Sequence, residues 1–404
     1  METKRKILLL GGSAAQLVAI RKAKELGYYT IVCDYLMDNP GQHIADRYYN
    51  VSTTDITKIL KIASEENIDG IVAYSSDPAA PTAAYVAQKL NLPGLDYEKV
   101  RHFCEKQLFR KFLKNNGFNV PRSLEIKIPL QIESLNSNAL KYPVIIKPTD
   151  SSGSKGVSVL QDTTNLKKAL EEAAKFSRNK TLIIEEFIER DHPHVIEAEI
   201  FTINGKVVSW GLINSIRDCE SNPLLPAGYS YPLELSNERI KLVKSEISRL
   251  IHAFGNPSGA FNIEMIIDKN NQLYFLDAGP RNGGNMLPEF ISMISGKDLV
   301  EATIRNAMGE IGGLDVELDS KSGEYWGLAV LHTNQHGKFK TVNYNPIAKK
   351  ALVREEIQKS PGEEVTPFIK CNDLIGLSFF HFREQLEMEN VMGNMNNSII
   401  ISTT

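Results

Sequence analysis

The run Tyr142-Pro143-Val144-Ile145-Ile146-Lys147-Pro148-Thr149-Asp150-Ser151-Ser152-Gly153-Ser154-Lys155-Gly156-Val157 decides the fold of this chain. An apolar strand delivers Lys147 at its end. Small residues then form a loop, with Ser152, Gly153, Ser154 and Gly156 at its centre, whose backbone amides can close over phosphate oxygens. Lys147 adds a point charge on a phosphate. The run is not a Walker A, because G-x-x-x-x-G-K-[ST] is absent. Taken alone it also fits a solvent-exposed hairpin loop with an edge lysine, so the flanking segments have to decide.

Upstream, Glu105-Lys106-Gln107-Leu108-Phe109-Arg110 puts a lysine on a helical stretch, Tyr97–Asn116, that is stopped by Gly117 and Pro121. Downstream, strand Thr181–Ile188 ends in Glu185-Glu186-Phe187-Ile188. Such an end can hydrogen-bond an adenine edge through its backbone while apolar side chains sandwich the ring. Asn204-Gly205 between Ile196–Ile203 and Lys206–Ile213 is a two-residue hairpin turn. Glu264 and Asp277 lie on a further strand pair, Ala260–Ile267 and Gln272–Asp277, where two facing carboxylates can hold hard Mg²⁺ against phosphates. Gly279-Pro280-Arg281-Asn282-Gly283-Gly284-Asn285 follows, and the always-charged fork of Arg281 suits a carboxylate or phosphate.

Working outward, the first hundred residues alternate short apolar strands (Ile7–Leu10, Thr30–Cys33, Tyr48–Val51, Gly70–Ala73) with helices Ala14–Leu26 and Asp55–Asn67. This alternation predicts a doubly wound parallel sheet, hence an α/β fold class. Gly11-Gly12-Ser13 opens the first helix and Asp34 ends the second strand, the outline of a dinucleotide site. The second and third glycines of G-x-G-x-x-G are missing, which favours a plain tight turn facing a cleft. Ser75-Ser76-Asp77 sits at the carboxyl edge of the sheet, where open α/β folds bind ligands, so Asp77 is a substrate candidate. Asn214–Pro232 reads as a long polar loop, a substrate lid carrying Arg217 or a simple surface loop. His192-x-His194 and His332-x-x-x-His336 have zinc-like spacings but no third ligand nearby, which favours ordinary structural histidines.

Composition sets the outer bounds. With 404 residues the chain is long enough for roughly two to four domains. Forty-six Lys+Arg against 49 Asp+Glu give a net charge of −3, which supplies no basic excess for nucleic acid and no acidic tail. The apolar run after the charged start, Ile7–Leu10, is too short for a signal core or a membrane span. Cys33, Cys104, Cys219 and Cys371 are far apart with no CxxC, which fits a reducing cytoplasm.

Lys106, the Lys147 strand with its glycine loop, Glu185–Ile188 and the run Phe261–Asn285 occur in the order and spacing of the ATP-grasp superfamily, which the chain resembles over about residues 5–310. The resemblance implies an N-terminal Rossmann-like domain over 1–95, a lid and nucleotide subdomain over 96–190, a metal and substrate subdomain over 191–312, and a C-terminal extension over 313–404 that caps the cleft or forms a homodimer contact. It implies ATP with Mg²⁺ (or Mn²⁺) as cofactors. Lys106 and Lys147 would contact the phosphates, Glu185, Glu186, Phe187 and Ile188 would line adenine, and His194 or Glu197 would meet the ribose. Glu264 and Asp277 would be the metal ligands. Arg281 would orient the acceptor carboxylate and stabilise an acyl phosphate, with Asn285 beside it. The family usually has Glu at position 277 and Asn at position 279. The segment Arg281–Glu289 resembles the branch that includes L-amino acid ligases, and the N-terminal third resembles the purine-pathway ligases. The implied activity is an ATP-dependent carboxylate–amine ligase acting on small molecules. The alternatives are a phosphoribosyl-amine or carboxyaminoimidazole-type ligase and a non-catalytic ATP-binding protein.

Overall fold

The computed structural model describes residues 4–129, 140–218, 222–310 and 323–404. Cys219 and the expected boundary at 312/313 lie outside the described residues. The chain begins with β1 (Lys6–Leu10), α1 (Leu17–Glu25), β2 (Tyr29–Asp34), β3 (Arg47–Asn50), α2 (Ile56–Glu66), β4 (Gly70–Val72) and α3 (Ala80–Lys89). These strands form a parallel sheet in the order β3-β2-β1-β4. β1 and β2 are almost wholly buried, as parallel strands covered on both faces must be. The expected α/β class is borne out. The Gly11-Gly12-Ser13 turn spends its amides internally: Gly12 N–H donates to Asp34 at 2.9 Å and Ser13 N–H to the Gln16 side chain at 3.0 Å.

Next come α4 (Tyr97–Cys104) and α5 (Lys106–Asn115). One continuous helix is expected over Tyr97–Asn116, but the structure breaks it at Glu105, whose backbone is extended at φ −109°, ψ 110°. The break starts α5 against the root of the glycine loop, where Lys106 N–H donates to Thr149 O at 2.8 Å. A small antiparallel unit follows, where the lid is expected from the sequence: β5 (Ser123–Lys127), β6 (Val144–Pro148), β7 (Ser158–Leu160), α6 (Leu166–Ala174) and β8 (Thr181–Glu186). Its antiparallel sheet runs β5-β8-β6-β7, and Leu166, Ala169, Leu170 and Ala173 seal α6 onto it.

The third layer holds β9 (Val195–Ile203), β10 (Lys206–Asp218), β11 (Asn222–Tyr231), α7 (Asn237–Phe254), β12 (Gly259–Ile267), β13 (Leu273–Gly279), α8 (Leu287–Ser295) and α9 (Leu299–Ala307). Asn204 and Gly205 both take positive φ, 48° and 80°, as the tight hairpin requires. Asn214–Pro232 is not a polar loop. β10 and β11 pair as an antiparallel arm, with a register irregularity where Arg217 meets Pro226. Proline lacks the ladder donor, so it settles at such a break. Asn214 and Ser215 on this arm are buried.

The tail comprises β14 (Tyr325–Leu331), β15 (Gly337–Tyr344), α10 (Pro346–Ala351), β16 (Leu352–Ile357), β17 (Glu364–Val365), β18 (Gly376–Phe382), α11 (Gln385–Met392), α12 (Met395–Ser398) and β19 (Ile399–Thr403). Three of its strands extend the third layer into one sheet, β13-β12-β9-β10-β11-β14-β18-β16, while β17-β15-β19 form a small separate one. An aromatic knot fixes the layers near the cleft. Phe103 of α4 packs against Phe109, Phe112, Phe254 and Phe261 at centroid distances of 5.0, 5.2, 4.7 and 6.4 Å. It therefore ties the Lys106 helix to α7 and to β12.

Candidate active site

Lys147 ends β6 and points to the buried carboxylate of Glu185, 2.9 Å away. Glu185 is 1% exposed. Arg110 completes the cluster with Nε 2.5 Å from Glu185 and further donations to the carbonyls of Phe275 and Leu276 on β13, at 3.2 and 2.8 Å. Burial pushes the Glu185 carboxyl up, but Arg110 and then Lys147 more than offset it and hold it at about 2. Arg110 lies one turn after Lys106, so both project from the same face of α5. Glu186 turns the other way and accepts the Lys141 amide at 2.8 Å. Phe187 is 37% exposed and Ile188 half-buried at the strand end, an apolar edge of the kind a purine ring covers.

The glycine loop folds over toward the β10–β11 arm. Gly153 and Gly156 take φ of 65° and 71°, and Ser154 takes 55°. Ser154 Oγ donates to Leu224 O at 3.0 Å. A side chain at Gly156 would come within 2.8 Å of the Phe176 ring. Lys106 Nζ reaches from below, 3.2 Å from Ser151 O and 3.0 Å from Asp277 Oδ2.

The floor is a grid on one face of three strands. Asp277, Glu264 and Glu197 stand in one row across β13, β12 and β9, and Gly279, Asn262 and Glu199 in the next. Arg217 Nη2 donates to Glu264 at 3.2 Å. Asn262 donates to Glu197 at 2.7 Å and to Glu199 at 3.2 Å. Glu199 also accepts from Gly283 N–H at 2.8 Å and from Asn282 at 3.3 Å. Burial carries the Glu199 carboxyl up to about 8 in spite of these donors. Burial and the facing charge of Glu264 raise Glu197 as well. Burial pushes Asp277 up, yet Lys106, with Lys147 and Arg110 behind it, leaves it below the ordinary carboxylate range.

Among the described residues no group of three His, Cys, Asp or Glu forms a metal cage. The Glu264–Asp277 pair instead fits a hard cation that takes most of its oxygens from phosphates and water. The histidines have other partners. His192 Nε2 accepts the Ile267 amide at 3.0 Å, His194 lies 3.9 Å from Glu234, and His332 lies 3.2 Å from Asp218.

Arg281 forks onto Asp77, with Nε and Nη2 each 2.7 Å from a carboxylate oxygen, while Nη1 donates to Asn262 at 3.1 Å. This explains the glycine at 279. A Cβ there would stand 2.7 Å from Asp77 Oδ1 and 2.8 Å from Arg281 Cζ. Asn285 donates to the Tyr229 hydroxyl at 3.1 Å, and Ser75 Oγ to Gly283 O at 2.6 Å. Ser75, Asn285 and Met286 all take left-handed φ of 51–55°. For serine and methionine that conformation is strained, and strain of this kind gathers at functional sites. A cavity of about 430 Å³ adjoins the fork, lined by Asp77, Lys106 and Asp277 together with Tyr97, Arg101 and Cys104.

The structure therefore brings Lys106, Lys147, Glu185, Asp277, Glu264, Arg217, Arg281, Asp77 and Asn285 to one cleft from every layer. Arg110, Asn262 and Tyr229 belong to it too and were not singled out by the sequence, and so does Glu199, which the sequence places on one strand face with Glu197 without giving it a role. The i+4 spacing from Lys106 was the available signal for Arg110.

Two lysines and a glycine loop over a pair of strand carboxylates define an ATP-grasp site. Residues 105–312 match the family model of the carbamoyl-phosphate synthase L chain, ATP-binding domain, and the chain belongs to that family. It is 28% identical over 296 residues to the formate-dependent phosphoribosylglycinamide formyltransferase of Prochlorococcus marinus, covering 71% of this chain and 73% of that one. It is 24% identical over 270 residues to the carbamoyl phosphate synthase large chain of Thermotoga petrophila, covering 64% of this chain but 23% of that one. In fold it is similar to the L-amino acid ligase from Bacillus licheniformis, with a TM-score of 0.81 at 19% identity and both chains covered fully. The ATP-grasp resemblance read from the sequence is thus borne out.

Proposed function

We propose that the protein is an ATP-dependent carboxylate–amine ligase that joins two small molecules through an acyl phosphate. A substrate carboxylate oxygen attacks the γ-phosphorus of ATP, forming an acyl phosphate and releasing ADP. The amine nitrogen then attacks the acyl carbon, loses a proton and expels inorganic phosphate. What supports this reading above all is the 3.0 Å contact between Lys106 and Asp277, because it joins the first and last motifs across 171 residues of chain.

Lys106, Lys147 and the loop amides hold and neutralise the phosphates, so catalysis is mostly positioning and electrostatics. Glu264 and Asp277 would hold Mg²⁺, which when bound screens charge between phosphate oxygens. The Arg281 fork orients the acceptor carboxylate, and loop 149–156 excludes water from a hydrolysable intermediate. Phe187 and Ile188 line the adenine. Spaced cysteines support a reducing, cytoplasmic setting.

A second reading, ligation onto a phosphoribosyl amine, is favoured by the 28% identity to the formyltransferase. The test is phosphate release from MgATP across mixtures of carboxylates and amines, including formate with a phosphoribosyl amine. Release that needs both partners is the expected result. Tight ATP binding with no release from any pair would leave only nucleotide binding.

A further inference from the structure

The tip of the glycine loop rests on two segments outside the small sheet that carries it. Ser154 Oγ donates to Leu224 O of β11 at 3.0 Å. Gly153 lies against Cys371 of the tail, so closely that a Cβ on the glycine would stand 3.3 Å from Sγ and 3.4 Å from Cβ of the cysteine. The two supports are braced to each other. The Asn222 side chain accepts the Leu224 amide at 3.0 Å and donates to Ile369 O at 3.2 Å. On the tail side, Asp373 accepts the amides of Ile369 and Lys370 at 3.1 and 2.8 Å, and Phe368 N–H donates to Thr333 O at 3.0 Å. Cys371 itself packs on the core cluster that holds Leu225 and Phe368.

Gly153, Ser154 and Gly156 are all left-handed, a conformation that is strained at serine and persists only where the surroundings over-determine it. The contacts of Ser154 with Leu224 and of Gly153 with Cys371 supply that constraint at the tip. We propose that Cys371, with the Asn222 brace beside it, is the seat on which the glycine loop closes, so that the C-terminal extension positions the phosphates through the loop. That the loop holds phosphate rests on the function proposed above. Where its tip lands does not. The two are linked, because a ligand that binds the seated loop better than the lifted one shifts the population toward the seat.

The first test is iodoacetamide labelling of Cys371 in the full-length protein, followed by peptide mass spectrometry with and without saturating MgADP. The thiolate attacks the iodinated methylene carbon and expels iodide, and it does so only while the loop is lifted. MgADP should slow labelling at Cys371 about ten-fold or more. Equal rates at nucleotide saturation, confirmed by calorimetry, would overturn the coupling of seat and nucleotide. Gly153→Cys tests the contact itself, because 3.4 Å between Cβ atoms is close to the roughly 3.5–4.5 Å that a disulfide spans. Copper phenanthroline with oxygen should join the new thiol to Cys371, the two thiols giving up two protons and two electrons to oxygen. In protein oxidised with MgADP bound, nucleotide release should slow about ten-fold or more and recover on dithiothreitol. No cross-link to Cys371, with or without MgADP, would refute the seat even if the chain binds no nucleotide. A cross-link that leaves nucleotide release unchanged would refute its positioning role. None of these readouts needs turnover, so their failure is separate from failure of the ligase reading, which phosphate release decides.

Discussion

Replacing Gly279 by alanine probes the Arg281–Asp77 fork without touching either partner. The added Cβ would lie 2.7 Å from Asp77 Oδ1 and 2.8 Å from both Arg281 Nε and Cζ, where ordinary contact begins at 3.4 Å. Both groups must retreat by about 0.6–0.7 Å. They are the ends of side chains, so the backbone can stay in place. Gly→Ala also removes unfolded-state freedom, worth about 0.4–1 kcal/mol where the backbone tolerates it, so stability should change by no more than about 1 kcal/mol. Catalysis is less forgiving, since misplacement by about 1 Å costs on the order of 100-fold. We expect kcat/KM for MgATP-dependent phosphate release to fall roughly 10–100-fold in Gly279→Ala, about 1.4–2.7 kcal/mol of transition-state stabilisation, with little change in Tm. Asp77→Ala removes one side of the clash. The double variant should therefore lose far less than the product of the single losses, with a coupling of about 1 kcal/mol or more. Wild-type rates in Gly279→Ala, or losses that multiply in the double variant, would refute the explanation of this glycine.

On the proposed function, Lys147→Ala and Glu264→Ala should each cut phosphate release by about 100-fold or more while far-UV circular dichroism stays native, because each removes charge that would face the transferring group. The Glu185 carboxyl has its folded value lowered from 4.5 to about 2, so its stabilisation is present above about pH 4.5 and fades as pH falls toward 2. Urea unfolding of the wild type between pH 5 and 3 should show this slope, and Glu185→Gln should flatten it. Phe103→Ala should cost about 3–5 kcal/mol in urea unfolding, because the ring is fully buried among four other aromatic rings.

Local chemistry made much of the site legible. Lys147 ends an apolar strand, Asn204-Gly205 marks a turn, and Glu264 and Asp277 fall on adjacent antiparallel strands, where directly opposite residues share a face. The failures share a physical cause. Asn214–Pro232 looked like a solvated loop because it is polar and contains Pro223, Pro226 and Pro232, yet Asn214 and Ser215 are buried on a paired arm. Polar residues buried to line a cleft are indistinguishable by composition from residues in water. The helix break at Glu105 escaped notice because helical periodicity continues through it. What breaks it is tertiary, the donation of the Lys106 amide to Thr149 on the lid. The tail was nearly mute because strand order cannot be read from one sequence, so nothing indicated that β14, β18 and β16 would extend the sheet bearing the carboxylates.

The cleft's ion pairs share one design. Lys106 holds Asp277, Lys147 holds Glu185, Arg217 holds Glu264 and Arg281 holds Asp77, each pair joining different elements of the fold. On the proposed function, a nucleotide would compete with carboxylates for the lysines, and a divalent cation would compete with Lys106 and Arg217 for the carboxylates. If the two arrived together, Lys106 and Asp277 would each exchange the other for a ligand, the lysine for phosphate and the carboxylate for metal. If either arrives alone, it leaves a buried charge unmatched, which is strongly unfavourable. Arg110 has a distinct place, since it grips Glu185 and two β13 carbonyls and so ties β8 to the strand that carries Asp277.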